Sequence, residues 1–172
     1  MRNAIMVPCP MPPYHAKWAR FFTLLGWQWE YKPRPFDKWE PTFVLRGARQ
    51  SVFVYACHST IFEPLLASVI DGSDCGVEVL IVGARITLNV GMDDSLDVPP
   101  PLGWLREQNP ETLEWVWQAA HFGSFGGIGF HVALGSYHNR ITGEHDGARK
   151  TFTNPRTGDE IDQMWTKASI GC

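Results

Sequence analysis

The sequence predicts a mixed α/β (α+β) fold, a central mixed sheet flanked by helices, formed by residues 1–172 as a single domain. Three observations lead there. Trp18, Phe21, Phe22 and Leu25 recur at i, i+3, i+4 and i+7, the apolar stripe of a helix. Three short apolar segments follow within residues 27–57, joined by short turn-rich connections that suit an antiparallel meander. A helical segment then separates the third from the apolar run Val77-Glu-Val-Leu-Ile-Val82, and a helix between neighbouring strands implies a parallel pair joined by a crossover.

Taken in order, residues 1–13 are rich in proline and unsuited to regular helix. The first helix is expected from Tyr14 to Leu25, with Gly26 ending it. Trp27-Gln-Trp-Glu-Tyr31 alternates with period two and reads as a half-buried strand, broken by Pro33 and Pro35. Thr42 to Leu45 and Ser51 to Cys57 are the next two strands, with a turn at 46–50. Thr60 to Ile70 is expected to be helical, with Thr60 as N-cap and Glu63 at the capping-box position. Val77 to Val82 is a mostly apolar, central strand.

Residues 83–110 are expected to be irregular, and 84–160 form an extension without an assigned role. Glu111 to His121 fits either a short helix or an aromatic-rich strand. A glycine-rich turn at 123–129 leads into a strand over Ile128 to Leu134, and 135–158 are polar and turn-rich. The final helix, residues 158–170, has acids in its first turn and Lys167 in its last. No internal repeat is apparent.

Composition narrows the function class. Eight Trp and ten Phe with low charge content argue for a packed core rather than disorder. No apolar run approaches the roughly 20 residues that span a bilayer, and the N-terminus lacks the apolar segment of a signal peptide, so a cytoplasmic protein without membrane association is expected. The four cysteines lack C-x-x-C spacing, which argues against a structural zinc site. The net charge of −3 conceals an asymmetry: residues 1–50 carry eight Lys/Arg and three Asp/Glu, residues 51–172 seven and fifteen. The basic part could meet phosphates. The stretch from Glu63 to Glu114, with ten acids and two arginines, could instead occupy a basic groove on another protein.

The run from Tyr14 to Pro33, then Pro41-Thr-Phe43 and Val52-Phe-Val-Tyr-Ala-Cys57, resembles the phage- and plasmid-borne branch of the PD-(D/E)XK nuclease-like superfamily. That branch typically reads Glu-Ala-Arg-Trp-Ala-x-Phe-Phe-x-x-Leu-Gly, then Trp-Glu-Tyr-Glu-Pro, Pro-Asp-Phe and Val-Glu-Val-Lys. The match is dense over residues 14–57 and extends to Val77–Val82 and, weakly, to Met164-Trp165-x-x-Ala168. The resemblance implies a restriction-endonuclease-like core over 14–83, and in the family's active members a Mg²⁺ site built from carboxylates with a lysine beside it.

The apolar scaffold is kept here, but the chemical positions are not. His15 stands where the family's first-helix Glu is placed, Thr42 replaces the Asp of Pro-Asp-Phe, and Tyr55 and Cys57 replace the Glu and Lys of Glu-x-Lys. None supplies a fixed negative charge for a hard cation. No catalytic residue and no cofactor are therefore assigned; Mg²⁺ enters only if the site has relocated to acids such as Asp37, Glu40, Glu30 or Glu63. The expected role is that of a non-catalytic phage or mobile-element protein that binds DNA, RNA or a nucleic-acid-handling complex. Lys17, Arg20, Lys32, Arg34, Lys38, Arg46 and Arg49, interleaved with Trp27, Trp29, Tyr31 and Trp39, are the expected contact residues. The alternatives are an anti-defence inhibitor acting on a host defence protein and an active nuclease with a relocated site.

Overall fold

The computed structural model describes residues 11–36, 38–58, 64–73, 75–86, 101–123, 128–132, 138–144 and 155–170. Among them the element order is α1 (Pro13–Leu24), β1 (Trp29–Tyr31), β2 (Phe43–Arg46), β3 (Ser51–Ala56), α2 (Pro64–Asp71), β4 (Val79–Val82), β5 (Pro101–Gln108), β6 (Trp115–Gly123), β7 (Gly129–Val132) and α3 (Pro155–Ala168). The strands form one seven-stranded sheet in sequence order. β3 and β4 are parallel, and every other neighbouring pair is antiparallel. The mixed α+β class, the three-stranded meander and the crossover through α2 agree with the sequence expectation.

Local chemistry explains the first helix. Pro12 is its N-cap and Pro13 its first residue, where a missing N–H costs nothing. Gly26 ends it at φ +75°, in the left-handed region. There Trp27 N–H donates to Phe22 O (2.9 Å) and Gly26 N–H to Thr23 O (3.0 Å), the paired bonds of a Schellman cap.

The two faces of the sheet bury different things. Alternation along β3 sends Val52, Val54 and Ala56 to the main core with Trp18, Phe21 and Phe22 of α1 and Ile161 and Ala168 of α3. Phe53 and Tyr55 point to the other face, where Ile70 and Leu66 of α2 pack with Trp39, Val79 and Ile81. The sheet curls around α1. Trp27 bridges its two ends: the ring meets Phe122 and Phe130, and its indole N–H donates to Ile128 O at 2.6 Å. α3 closes the open side, with Trp165 against Trp18 (4.6 Å between centroids) and Phe21 (5.1 Å).

The chief departure from expectation lies between residues 101 and 123. Pro101–Gln108 is a strand, not irregular chain, and Trp115–Gly123 resolves the helix-or-strand ambiguity as strand. Arg106 and Glu107 in β5 are both buried, which breaks the apolar alternation a strand normally shows. Their compensation is tertiary. Arg106 Nε donates to Asp71 Oδ1 at 2.7 Å, and its guanidinium lies over Trp115. Glu107 accepts from Gln118 and from Arg140, and Arg140 also donates to both oxygens of Glu78. This buried Glu78–Arg140–Glu107 cluster ties the lead-in to β4, β5 and the 138–144 turn together. Smaller shifts occur elsewhere: β1 begins at Trp29, β4 at Val79, and α3 three residues earlier than expected, at Pro155. Residues 59–63, which include the expected cap residues Thr60 and Glu63, lie outside the described residues, as do Ala133 and Leu134.

Two turns share one chemistry. Asn109 Oδ1 accepts from the backbone N–H of Glu111 and Thr112, and Asn139 Oδ1 from Ile141 and Thr142. The Thr112 and Thr142 hydroxyls accept from Glu114 and Glu144 N–H. Each is a six-residue Asn-x-x-Thr-x-Glu turn whose fifth residue has positive φ: Leu113 at 60° and Gly143 at 74°. Among the described helices none is long and apolar enough to cross a membrane.

Leu113 holds a conformation that costs a β-carbon roughly 1–2 kcal/mol, while its side chain is two-thirds exposed. Leu113→Gly should therefore raise stability by about 0.5–1 kcal/mol after the added chain entropy of glycine is subtracted. Arg140→Ala should instead cost about 3–5 kcal/mol, because it leaves two buried carboxylates without their cation. Urea unfolding of both variants checks the two signs together.

Candidate functional site

The cleft that matters lies at the carboxyl end of β3, beside the parallel β3–β4 pair, the end of a parallel arrangement where open α/β sheets place ligands. It is about half open to solvent and holds about 360 Å³, within the range of ligand pockets. Four walls bound it: Tyr14 and His15 from α1, Lys32 and the segment 38–42, Tyr55 and Ala56 from β3, and Leu66 and Val69 from α2.

Three of the four positions singled out by the resemblance, His15, Thr42 and Tyr55, line one cleft although 40 residues of chain separate the first from the last. Cys57 does not line it. Its backbone N–H donates to Val82 O at 2.9 Å and its thiol to the same oxygen at 3.4 Å, as a buried core residue of the α2 face.

Each lining residue is held by its neighbours. Thr42 is buried; its hydroxyl accepts from Ala56 N–H at 3.1 Å, so it braces the turn onto β3. His15 Nδ1 lies 3.2 Å from the Tyr31 hydroxyl, and its ring packs edge-on to Tyr14, Tyr31 and Phe43. Burial holds the His15 imidazole below its usual pKa; a hydrogen bond to the Ala56 backbone opposes this, and the Lys32 ammonium reinforces it. Burial likewise pushes the Tyr31 phenol up, with Tyr14 adding to it. Near neutral pH the imidazole is uncharged.

The 32–42 segment is shaped by a kink and a tether. Lys32 takes φ 47°, unusual for a side chain other than Gly, and its N–H donates to Thr42 O. Lys38 Nζ donates to Gly72 O at 2.6 Å, just beyond the end of α2, where cations are favoured. Phe36 stacks on Trp39, whose indole N–H reaches Ser73 Oγ at 3.2 Å.

The expected contact residues divide. Lys32 and Lys38 are at the cleft; Arg34 is exposed on the same segment. Lys17 lies over the Trp165 ring, and Arg20 donates to Ile170 O beyond α3. Arg46 pairs with Glu30 on the meander, and Arg49 is exposed in the turn beyond it. Nor do all the aromatics remain available for stacking: Trp27 and Trp39 are buried, Trp29 and Tyr31 half-buried.

The described donor set does not fit Mg²⁺. The Thr42 hydroxyl is engaged with the backbone, Tyr55 is a phenol, and Glu40 is the one carboxylate among the described lining residues. Of the acids considered for a relocated site, Glu30 is committed to Arg46, and Asp37 and Glu63 lie outside the described residues. Among the described residues no group of three His, Cys, Asp or Glu gathers as metal ligands. With Lys32 and Lys38 against Glu40 and a neutral His15, the described residues of the lining carry a net positive charge, which suits an anion.

The depressed His15 pKa fixes a sign for stability. The unfolded chain binds a proton at His15 at higher pH than the folded chain does, so protonation favours unfolding. This contribution is complete above the ordinary His value of about 6.5 and is lost progressively as pH falls below it. Replacing His15 with Gln should flatten the stability profile between about pH 6.5 and 5, measured by urea unfolding of both proteins; parallel profiles would contradict the assignment.

Comparison with protein-family models, with curated proteins and with solved structures finds no match to this chain.

Proposed function

We propose that this chain is a non-catalytic, nuclease-like protein of phage or mobile-element type that binds nucleic acid at the cleft between α1, β3 and α2. The observation that carries the reading is the cleft lining. His15, Thr42 and Tyr55, the positions at which the resemblance places metal ligands and their neighbours, gather there with Lys32 and Lys38. A surface built to hold a cation against phosphate would gather carboxylates; the described residues of this one present a single carboxylate, Glu40, against two ammonium groups and two phenols, which meet phosphate directly. Tyr14 and Tyr55 offer ring surface for a base or sugar beside them.

Labelled single- and double-stranded DNA and RNA, incubated with the protein with and without Mg²⁺ or Mn²⁺ and resolved on native and denaturing gels, test this. The expected result is a retarded band with intact nucleic acid. The joint substitution Lys32→Ala and Lys38→Ala should weaken binding by about tenfold or more and flatten its salt dependence by roughly two phosphate contacts. Metal-dependent cleavage lost in Glu40→Ala would instead identify a relocated nuclease site. Absence of any retardation would shift the reading to an anti-defence inhibitor that acts on a host protein.

A further inference from the structure

Resting on that reading, we infer that the cleft recognises the phosphorylated end of a single strand, a terminal phosphomonoester with its nucleotide, and not the interior of a strand or a duplex.

Shape is the first ground. The cleft has walls on four sides: α1, the segment 38–42, the end of β3 and α2. The cleft is about half open to solvent, and the roughly 360 Å³ between these walls has room for a terminus and not for a length of strand. That volume falls in the range for small ligands, of the order of one nucleotide, and excludes the width of a double helix.

Charge is the second. An internal phosphodiester carries one negative charge, while a terminal monoester carries about −1.5 to −2 at neutral pH and three outward oxygens. Lys32 and Lys38 contribute two ammonium groups to the same cavity. Lys38 is already positioned by its bond to Gly72 O, which uses one of its three N–H groups and leaves two for a ligand. Glu40 also lines the cleft and repels a dianion more than a monoanion, but two ammonium groups against this one carboxylate among the described residues leave a net attraction that grows with the ligand's charge. The third ground is lining chemistry: the phenol rings of Tyr14 and Tyr55 and the apolar Leu66 and Val69 give a terminal sugar and base a surface to pack on.

The test uses the full chain and one short single-stranded DNA with an internal fluorophore, prepared with a 5′-phosphate, with a 3′-phosphate, or with hydroxyls at both ends, followed by fluorescence anisotropy at fixed salt. One phosphorylated form should bind at least about tenfold more tightly than the hydroxyl-ended form, the arms showing which end is taken. Lys32→Gln, at an exposed position, should remove that difference. Inorganic phosphate and a nucleoside monophosphate should both compete, the latter at lower concentration. Equal binding of all three oligonucleotides would overturn end recognition and leave nucleic-acid binding standing. No binding of any would overturn both.

Discussion

The fold depends on the aromatic ridge of α1. Trp18, Phe21 and Phe22 are fully buried, and the seven-stranded sheet reaches them from its first strands and its last. Large rings supply much apolar area per residue and lock by edge-to-face contact. Phe22 meets Phe43 of β2 at 90°, and Phe21 meets Phe122 of β6 at 90°. A flat sheet could not touch both sides of one helix, so the ridge imposes the curl. The curl in turn sets where α1 begins. Its first turn carries Tyr14 and His15 past the edge of the ridge to the mouth of the cleft, and the Trp18 indole, donating to Gly83 O at 2.9 Å, pins that end of the helix beyond β4.

The opposite end of the sheet is organised by charge. Glu78, Arg140 and Glu107 are removed from water almost completely, a costly arrangement unless each lone pair and proton is used. Here they are largely used: Arg140 donates to both carboxylates and to His138 O, and Gln118 donates to Glu107. An apolar cluster would tolerate several packings of the 138–144 turn. A bidentate guanidinium tolerates few, so the cluster fixes how that turn docks. The turn matters because Ala48 N–H donates to Ile141 O and Gly47 approaches Arg140 so closely that no side chain could stand there. The β2–β3 hairpin is thereby held at one end, and the strand that supplies Tyr55 and Ala56 to the cleft is held with it.

How far the sequence was legible follows from how local each determinant is. α1, the meander, α2 and β4 rest on periodicity within about a dozen positions, and α1 also on Pro13 and Gly26 at its ends, so all are readable. β5 was not, because Arg106 and Glu107 contradict the apolar pattern and their partners Asp71 and Arg140 lie 35 and 33 residues away. β6 was ambiguous because Trp115 to Ala120 is apolar enough for either period. The paired Asn-x-x-Thr-x-Glu turns had a sequence signal, but two six-residue copies 30 positions apart do not register as a repeat in the sense of stacked units. At the site, the resemblance singles out His15, Thr42 and Tyr55, which line one cleft, and Cys57, which does not; it carries no signal for the splitting of the seven basic residues. That split depends on the Lys32 kink and the Lys38 tether to Gly72, neither of which leaves a local signature.

The residues at the cleft are also consistent among themselves, whatever their ancestry. A neutral His15 between the Tyr31 hydroxyl and the Ala56 backbone, and a Thr42 hydroxyl spent on the Ala56 N–H, make a lining whose polar atoms are committed to the protein. Such groups hold shape and exchange little with a ligand. The two ammonium groups of the described lining, Lys32 and Lys38, stand on the segment after β1 and not on a helix or strand. Under the proposed reading, an anion is met by these two ammonium groups while the side chains beside them stay engaged with the protein.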